Sequence, residues 1–311
     1  MFGCSLLVVP EALLSVLPRG WPSVSSTKIG KPKITMRFDM SKPQDISCAA
    51  EALAQGKFAL AHFGNIIGLF CEPSVNTVGD MNEFKGSERF KPVSVTACID
   101  SVGLVTECGA FSRQLPHECA VAIAAELSAY GPIGFILPAS DCIPGHLSVT
   151  DRIGSHRMKT VQIITAGATS PFNGFTRKAV SCLPVDYFAA TSANVSSYFA
   201  GRPQPVHYRM KQALDEFIDR GANRFFVLEN PEEQQLNNAY PYHDARSTTI
   251  VRLTDVSRNK DGAPVKDSSG RYVLEVARWG SMDRSLTESV LARYGYGTKF
   301  PSGRLAKRAY T

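Results

Sequence analysis

The sequence predicts an α/β fold, a mixed sheet flanked by helices in one domain over residues 41–293. Apolar runs of strand length alternate, though irregularly, with segments of helical period. No Pro/Gly-rich linker long enough to separate two cores interrupts them. The 311 residues are 44% apolar and 20% charged, the balance of an ordinary globular chain.

The elements follow in order. Residues 1–40 read as an appendage, either an organellar targeting segment or a stretch ahead of a true start at Met36. Ser41 is expected to cap a helix with Pro43 and Asp45 in its first turn, ending at Gly56. Apolar strands follow at 58–63 and 65–71, then a short helix at 74–84 and a buried strand at 92–99. Pro116 opens the most periodic helix, which ends on Gly131, and 133–137 is a strand. Residues 138–158, rich in Pro, Gly, Ser and charge, read as a long loop. Strands near 160–165 and 187–191 flank a stretch without clear pattern. A helix at 208–221 leads into the strand RFFVLEN, and 230–247 is a polar loop. The strand TTIVRL (248–253), a turn-rich insert (259–270), the strand YVLEVAR and a helix from Asp283 complete the domain, and 294–311 is a basic tail.

A formal charge of +6 leans mildly towards phosphate-bearing partners. Eight cysteines show no CxxC spacing, which argues against a zinc site. Scattered in apolar runs, they read as buried reduced thiols, so a cytoplasmic location is expected. No apolar stretch reaches the roughly 20 residues that span a bilayer, so no membrane partner is expected.

The usual nucleotide and nucleophile signatures, GxxxxGK[ST], GxGxxG and GxSxG, are absent. His117 and His207 sit near helix starts and read as surface or capping residues, and His62, at a strand end, reads as packing. His146 and His156 share the long loop without a third ligand and read as solvated.

Four segments occur in a telling order: Phe84–Lys85–Gly86–Ser87 with Pro92 seven residues after the lysine, GPIGFILP (131–138), TSANVS (191–196), and STTIVRL followed by LEVARWGSMDRSLTESVL (274–291). Together they resemble the YrdC-like family, whose best-known members make threonylcarbamoyl-adenylate for tRNA modification. The resemblance covers about residues 41–293 and implies a twisted nucleotide-binding sheet. It implies a nucleotide site built from Lys85, Ser87, Arg89, Ser192, Asn194 and Arg278, taking ATP with Mg2+ and drawing no metal ligand from the protein. It implies an acceptor pocket at Asn65, Thr96 and Thr248.

The residue types suit that chemistry. A lysine on a loop before a strand brings a mobile cation to a phosphate. Ser192 and Asn194, two apart on an extended segment, project to one side with a hydroxyl and an amide. Arg278 adds a second cation. Adenylyl transfer needs positioning and charge neutralisation rather than a protein nucleophile. The competing reading makes Lys85 a solvated turn residue and Ser192 and Asn194 a helix cap.

The sequence also departs from the family. Where members carry PTDT for threonine, this chain has His62–Phe63–Gly64–Asn65. Ser87 stands for the paired arginine, with Arg89 two residues on, and Thr96 stands for a strand histidine. The arginine-x-proline segment before SxN has no counterpart. A pocket stripped of its polar partners loses several kcal/mol of binding to a hydroxylated amino acid. Two expectations therefore stand: an adenylate-forming or carbamoyl-transfer enzyme whose small acceptor is not threonine, or a catalytically reduced protein that binds double-stranded RNA or tRNA.

Overall fold

The computed structural model describes residues 36–98, 111–153, 156–195, 206–233 and 247–301. The expected appendage up to residue 35, the polar stretch 234–246, Ser196 of the TSANVS segment and the tail from 302 lie outside the described residues. The strands are β1 (Arg37–Asp39), β2 (Phe58–His62), β3 (Ile67–Cys71), β4 (Ser94–Ala97), β5 (Ile133–Pro138), β6 (Val149–Ile153), β7 (His156–Thr165), β8 (Tyr187–Ser192), β9 (Phe225–Glu229), β10 (Thr249–Arg252), β11 (Val273–Arg278) and β12 (Gly297–Lys299). The helices are α1 (Pro43–Ala54), α2 (Val75–Phe84), α3 (His117–Tyr130), α4 (Phe172–Ser181), α5 (Met210–Gly221) and α6 (Arg284–Arg293).

The strands form one mixed sheet in the order β1-β9-β2-β3-β8-β4-β7-β5-β10-β11-β12, with β6 added alongside β7. Its centre is antiparallel, as in β3·β8 and β4·β8, while β4·β7 and β5·β10 are parallel. Each strand sends alternate side chains to opposite faces. On β4, Val95 and Ala97 join a core under α2, α3, α5 and α6 that includes Met81, Ile123, Phe217 and Leu291. The other face packs Phe70, Phe188 and Phe226 against Leu53 of α1 and Phe172 and Phe175 of α4. Helices on both faces of a twisted mixed sheet are the architecture the sequence pointed to.

Several local expectations change. Ser41 does not cap α1, which begins after Lys42. The Ser41 amide and hydroxyl both donate to Asp39 Oδ1, a local turn that competes with the capping geometry. The expected loop 138–158 contains β6, a strand folded back on an extended β7. The patternless stretch before β8 is α4, with Phe172, Phe175, Thr176 and Ala179 buried at helical spacing. The edge strands β1 and β12 carry the sheet past both expected boundaries, at 41 and 293. Among the described cysteines Cys71 is buried, but Cys48 and Cys142 are exposed. No described helix is long and apolar enough to cross a membrane.

Candidate nucleotide site

Helix α2 delivers the first component. Ser74 caps it, and Val78, Met81 and Phe84 bury one face, so the helix is anchored up to its last turn. Gly86, at φ +73°, then turns the chain back, with its amide on the Glu83 carbonyl and the Ser87 amide on that of Asn82. Only glycine adopts such a conformation at no steric cost. Lys85, at the helix end, reaches across to β8, where its Nζ donates to Thr191 Oγ1 at 2.7 Å and to Ser192 Oγ at 3.4 Å.

The end of β8 forms the second component. Thr191 pairs with Leu69 and Ser192 with Gly68 of β3, and the Ala193 amide donates to the Ile67 carbonyl. Asn194 closes a tight turn: its backbone amide donates to the Ser192 carbonyl and its Nδ2 to the Val195 carbonyl. The Asn194 Oδ1 is buried and has no hydrogen-bond partner among the described residues.

Helix α5 supplies the third. Glu216 Oε1 accepts the Val195 amide at 2.6 Å, and Oε2 pairs with His207 Nε2. The His207 carbonyl accepts the Ile67 amide at 2.7 Å, so this segment also holds the start of β3.

Electrostatics mark the lysine. Lys85 as a whole is half-buried. Its ammonium is nevertheless held at the end of β8, and loss of water, reinforced by the Lys91 charge, lowers its pKa to about 7; Glu216 acts the other way. The Glu216 carboxyl sits below its usual range: burial would raise it, but His207, the Val195 amide and Arg220 outweigh that.

The remaining expected residues are placed as follows. Ser87 is half-buried, with its amide closing the α2 turn. Arg89 folds back over α2, bonding Asp80 at 2.8 Å and Glu83 at 2.9 Å, and Lys91 is instead the cation that acts on Lys85. Arg278 is exposed at the end of β11, its Nε donating to the Thr248 carbonyl at 2.9 Å. Asn65 and Thr248 do come together: Thr248 Oγ1 donates to Asn65 Oδ1, and Asn65 Nδ2 donates to Ser281 Oγ at 2.7 Å. At 0% and 2% exposed they form a closed polar knot rather than a pocket wall. Thr96, 1% exposed, lies between Phe188 and Ile164, and its hydroxyl has no partner among the described residues.

The turn before β3 is equally tight. A Cβ on Gly64 would stand 2.7 Å from Pro132 Cγ and 3.0 Å from the Ala166 carbonyl. There is no room at that position for the carboxylate of PTDT. The two clusters share one end of the sheet, because Asn65 belongs to one and Gly68, three residues on, pairs with Ser192 in the other. Three residues span at most about 11 Å.

A groove runs along the sheet face opposite α2. One cross-strand row runs Ala190, Ser94, Gln162, Ile136, Arg252, Glu275, with Gln162 Nε2 donating to Ser94 Oγ. Ser192, two residues beyond Ala190, shares this face. Pro92, Ser94, Thr160, Gln162, Asp151 and Arg252 line a cavity of about 260 Å³ there. A second cavity of about 260 Å³ shares Asp151 and Arg252 and is walled by Asp255 and Arg258 next to the insert. Their charges are paired: Arg252 with Asp151 at 2.7 Å and Glu275 at 3.4 Å, Arg258 with Asp255 at 2.8 Å.

Sequence reasoning missed Thr191, Lys91, Glu216 and the role of His207. Thr191 was legible as the strand residue next to the SxN pattern. Glu216 had no signal, since a carboxylate beside the buried Phe217 on an amphipathic helix reads as its solvated edge.

No family model and no curated protein matches the chain. Solved structures do. Sua5 of P. abyssi, complexed with L-threonine, matches at 16% identity and TM-score 0.56, over 85% of this chain and 62% of that one. A doubly substituted P. abyssi Sua5 matches at 16% identity and TM-score 0.55, over 82% and 63%. E. coli YciO matches at 14% identity and TM-score 0.45, over 80% and 95%. At these identities the likeness to Sua5 is one of fold, and this chain spans under two thirds of the Sua5 chains' length.

Proposed function

On the YrdC-like fold, we propose that this protein is an ATP-dependent adenylate-forming or carbamoyl-transfer enzyme whose acceptor is not threonine. One observation carries the reading: the Lys85 ammonium, held at the end of β8 against Thr191 and Ser192.

The residues present fit a nucleotide. Lys85 and Lys91 repel each other, so an arriving polyphosphate relieves that repulsion and draws a proton onto Lys85. The Asn194 Oδ1, without a partner among the described residues, is an acceptor open to a donor such as a ribose hydroxyl. ATP would supply the activated phosphoanhydride and carry its own Mg2+. Among the described residues no group of three or more His, Cys, Asp or Glu side chains is placed to hold a metal. The chain's own part is electrostatic: Lys85 neutralises developing phosphate charge, and the Ser192–Asn194 turn orients the nucleotide.

The acceptor side points away from threonine. Gly64 leaves no space for a carboxylate, Asn65 and Thr248 already satisfy each other, and Thr96 lies in an aromatic core. The groove beyond Ser94 mixes Pro92, Val93, Ile136, Leu147 and Val149 with Gln162, Thr160 and the paired Arg252 and Asp151, a lining that suits a larger acceptor with an apolar part. The charge pattern does not favour RNA, since Arg89, Arg252 and Arg258 all hold carboxylates.

The test is thermal unfolding with and without Mg2+-ATP. A ligand at 100 times its Kd stabilises by about 2.7 kcal/mol. We expect that shift in the native protein and its loss in Lys85→Met. No shift at millimolar ATP would remove the reading.

A further inference from the structure

We propose that Glu216 is the positioning residue of this site: one carboxylate oxygen fixes the Val195 amide and with it the end of the Ser192–Asn194 turn, and the other engages His207, so that the strand end facing Lys85 is held ready for an incoming anion. The proposal rests on the anion-binding reading above and adds a pH-dependent control to it.

Three segments meet at this carboxylate. It takes the Val195 amide at 2.6 Å from the turn and the His207 ring from the segment that pins Ile67 of β3. Its own helix is capped by Gln212, which accepts the Arg209 amide, so Glu216 projects from the second turn of a helix fixed at its start. A carboxylate bound on both oxygens keeps its geometry, and at the Val195 peptide it adds to the Asn194 Nδ2 bond that closes the turn on itself.

The charges acting on Lys85 are Lys91, from the loop after α2, and Glu216, from α5; the hydroxyls of Thr191 and Ser192 come from β8. Those acting on Glu216 are His207 and Arg220. Lys91 pushes the Lys85 proton off and Glu216 holds it on. Burial does most to bring Lys85 down to about 7, and Lys91 and Glu216 then shift that midpoint in opposite directions. Anion affinity should therefore fall as pH rises through neutrality, with Glu216 and Lys91 moving the midpoint in opposite directions.

The experiment titrates the Lys85 side chain by NMR in the absence of nucleotide, assigning it with Lys85→Met. Glu216→Gln should move the midpoint down and Lys91→Gln should move it up, each by at least half a pH unit. Amide exchange at Val195 should quicken at least tenfold in Glu216→Ala and less in Glu216→Gln, whose amide oxygen still accepts. The same variants are then scored for the pH profile of Mg2+-ATP affinity. If ATP fails to bind at any pH, the nucleotide reading falls while the titration still decides the role of Glu216. A Lys85 midpoint unmoved by Glu216→Gln, or moved the same way by both substitutions, overturns the proposal.

Discussion

The Lys85 ammonium donates a 2.7 Å hydrogen bond to the Thr191 hydroxyl, joining segments 106 residues apart. That contact ties the end of α2 to the end of β8. It places a cation whose charge is easily lost beside a turn whose amide oxygen has no partner among the described residues.

The lowered Lys85 pKa has a signed consequence for stability. The folded chain gives up this proton near pH 7, whereas an unperturbed lysine keeps it to about 10.5. Between those values the unfolded state binds more protons, so the contribution of Lys85 to stability rises with pH across that window. Lys85→Met should raise the melting temperature most below pH 7, with the gain shrinking towards pH 10. A gain that grows with pH would contradict the assignment.

Thr191→Val keeps the shape of the strand end and removes the acceptor of the shorter lysine bond. A hydrogen bond to a charged group is worth about 1.5–3 kcal/mol. Affinity for ATP at pH 7 should fall about tenfold or more, because less of the lysine is protonated and its position is looser. Calorimetric titration checks this.

The Asn65 knot is structural. Asn65→Ala would leave the Thr248 and Ser281 hydroxyls buried without their partner. Each orphaned group costs about 1–3 kcal/mol. Urea unfolding should show a loss of about 2–4 kcal/mol, while the Kd for ATP stays within twofold of the native value.

Much of the fold was legible because strand-length apolar runs and helical spacing report burial directly. The pieces that were not legible have specific causes. Helix α4 follows directly on Ser170–Pro171 and carries Gly174 inside, so its four buried positions did not stand out. Strand β6 pairs only with β7, so half its backbone faces away from a neighbour and its residues, VTDRI, show no alternation of apolar and polar types. Motif order singled out Lys85 and Ser192, and the fold brings them to 3.4 Å of each other. Arg89 is captured by Asp80 and Glu83 of α2 once the Gly86 turn folds the chain back, a contact that spacing along the chain does not reveal.

Restoring a threonine-type pocket by one substitution should fail. Gly64→Asp places a Cβ 2.7 Å from Pro132 Cγ on a backbone at φ +153°. We expect a loss of at least about 2 kcal/mol. In the native protein, ATP, bicarbonate and threonine together should yield no threonylcarbamoyl-AMP by mass spectrometry. Turnover of about one per second would show that the acceptor pocket has been misread.

The central claim is that Lys85 and the Ser192–Asn194 turn bind the phosphates of ATP. The most direct measurement is calorimetric titration of Mg2+-ATP into the native protein and Lys85→Met at pH 6.5. The account expects binding with proton uptake in the native protein and at least a hundredfold weaker binding in the variant. Equal affinity in the two proteins, or native binding without proton uptake, would contradict it.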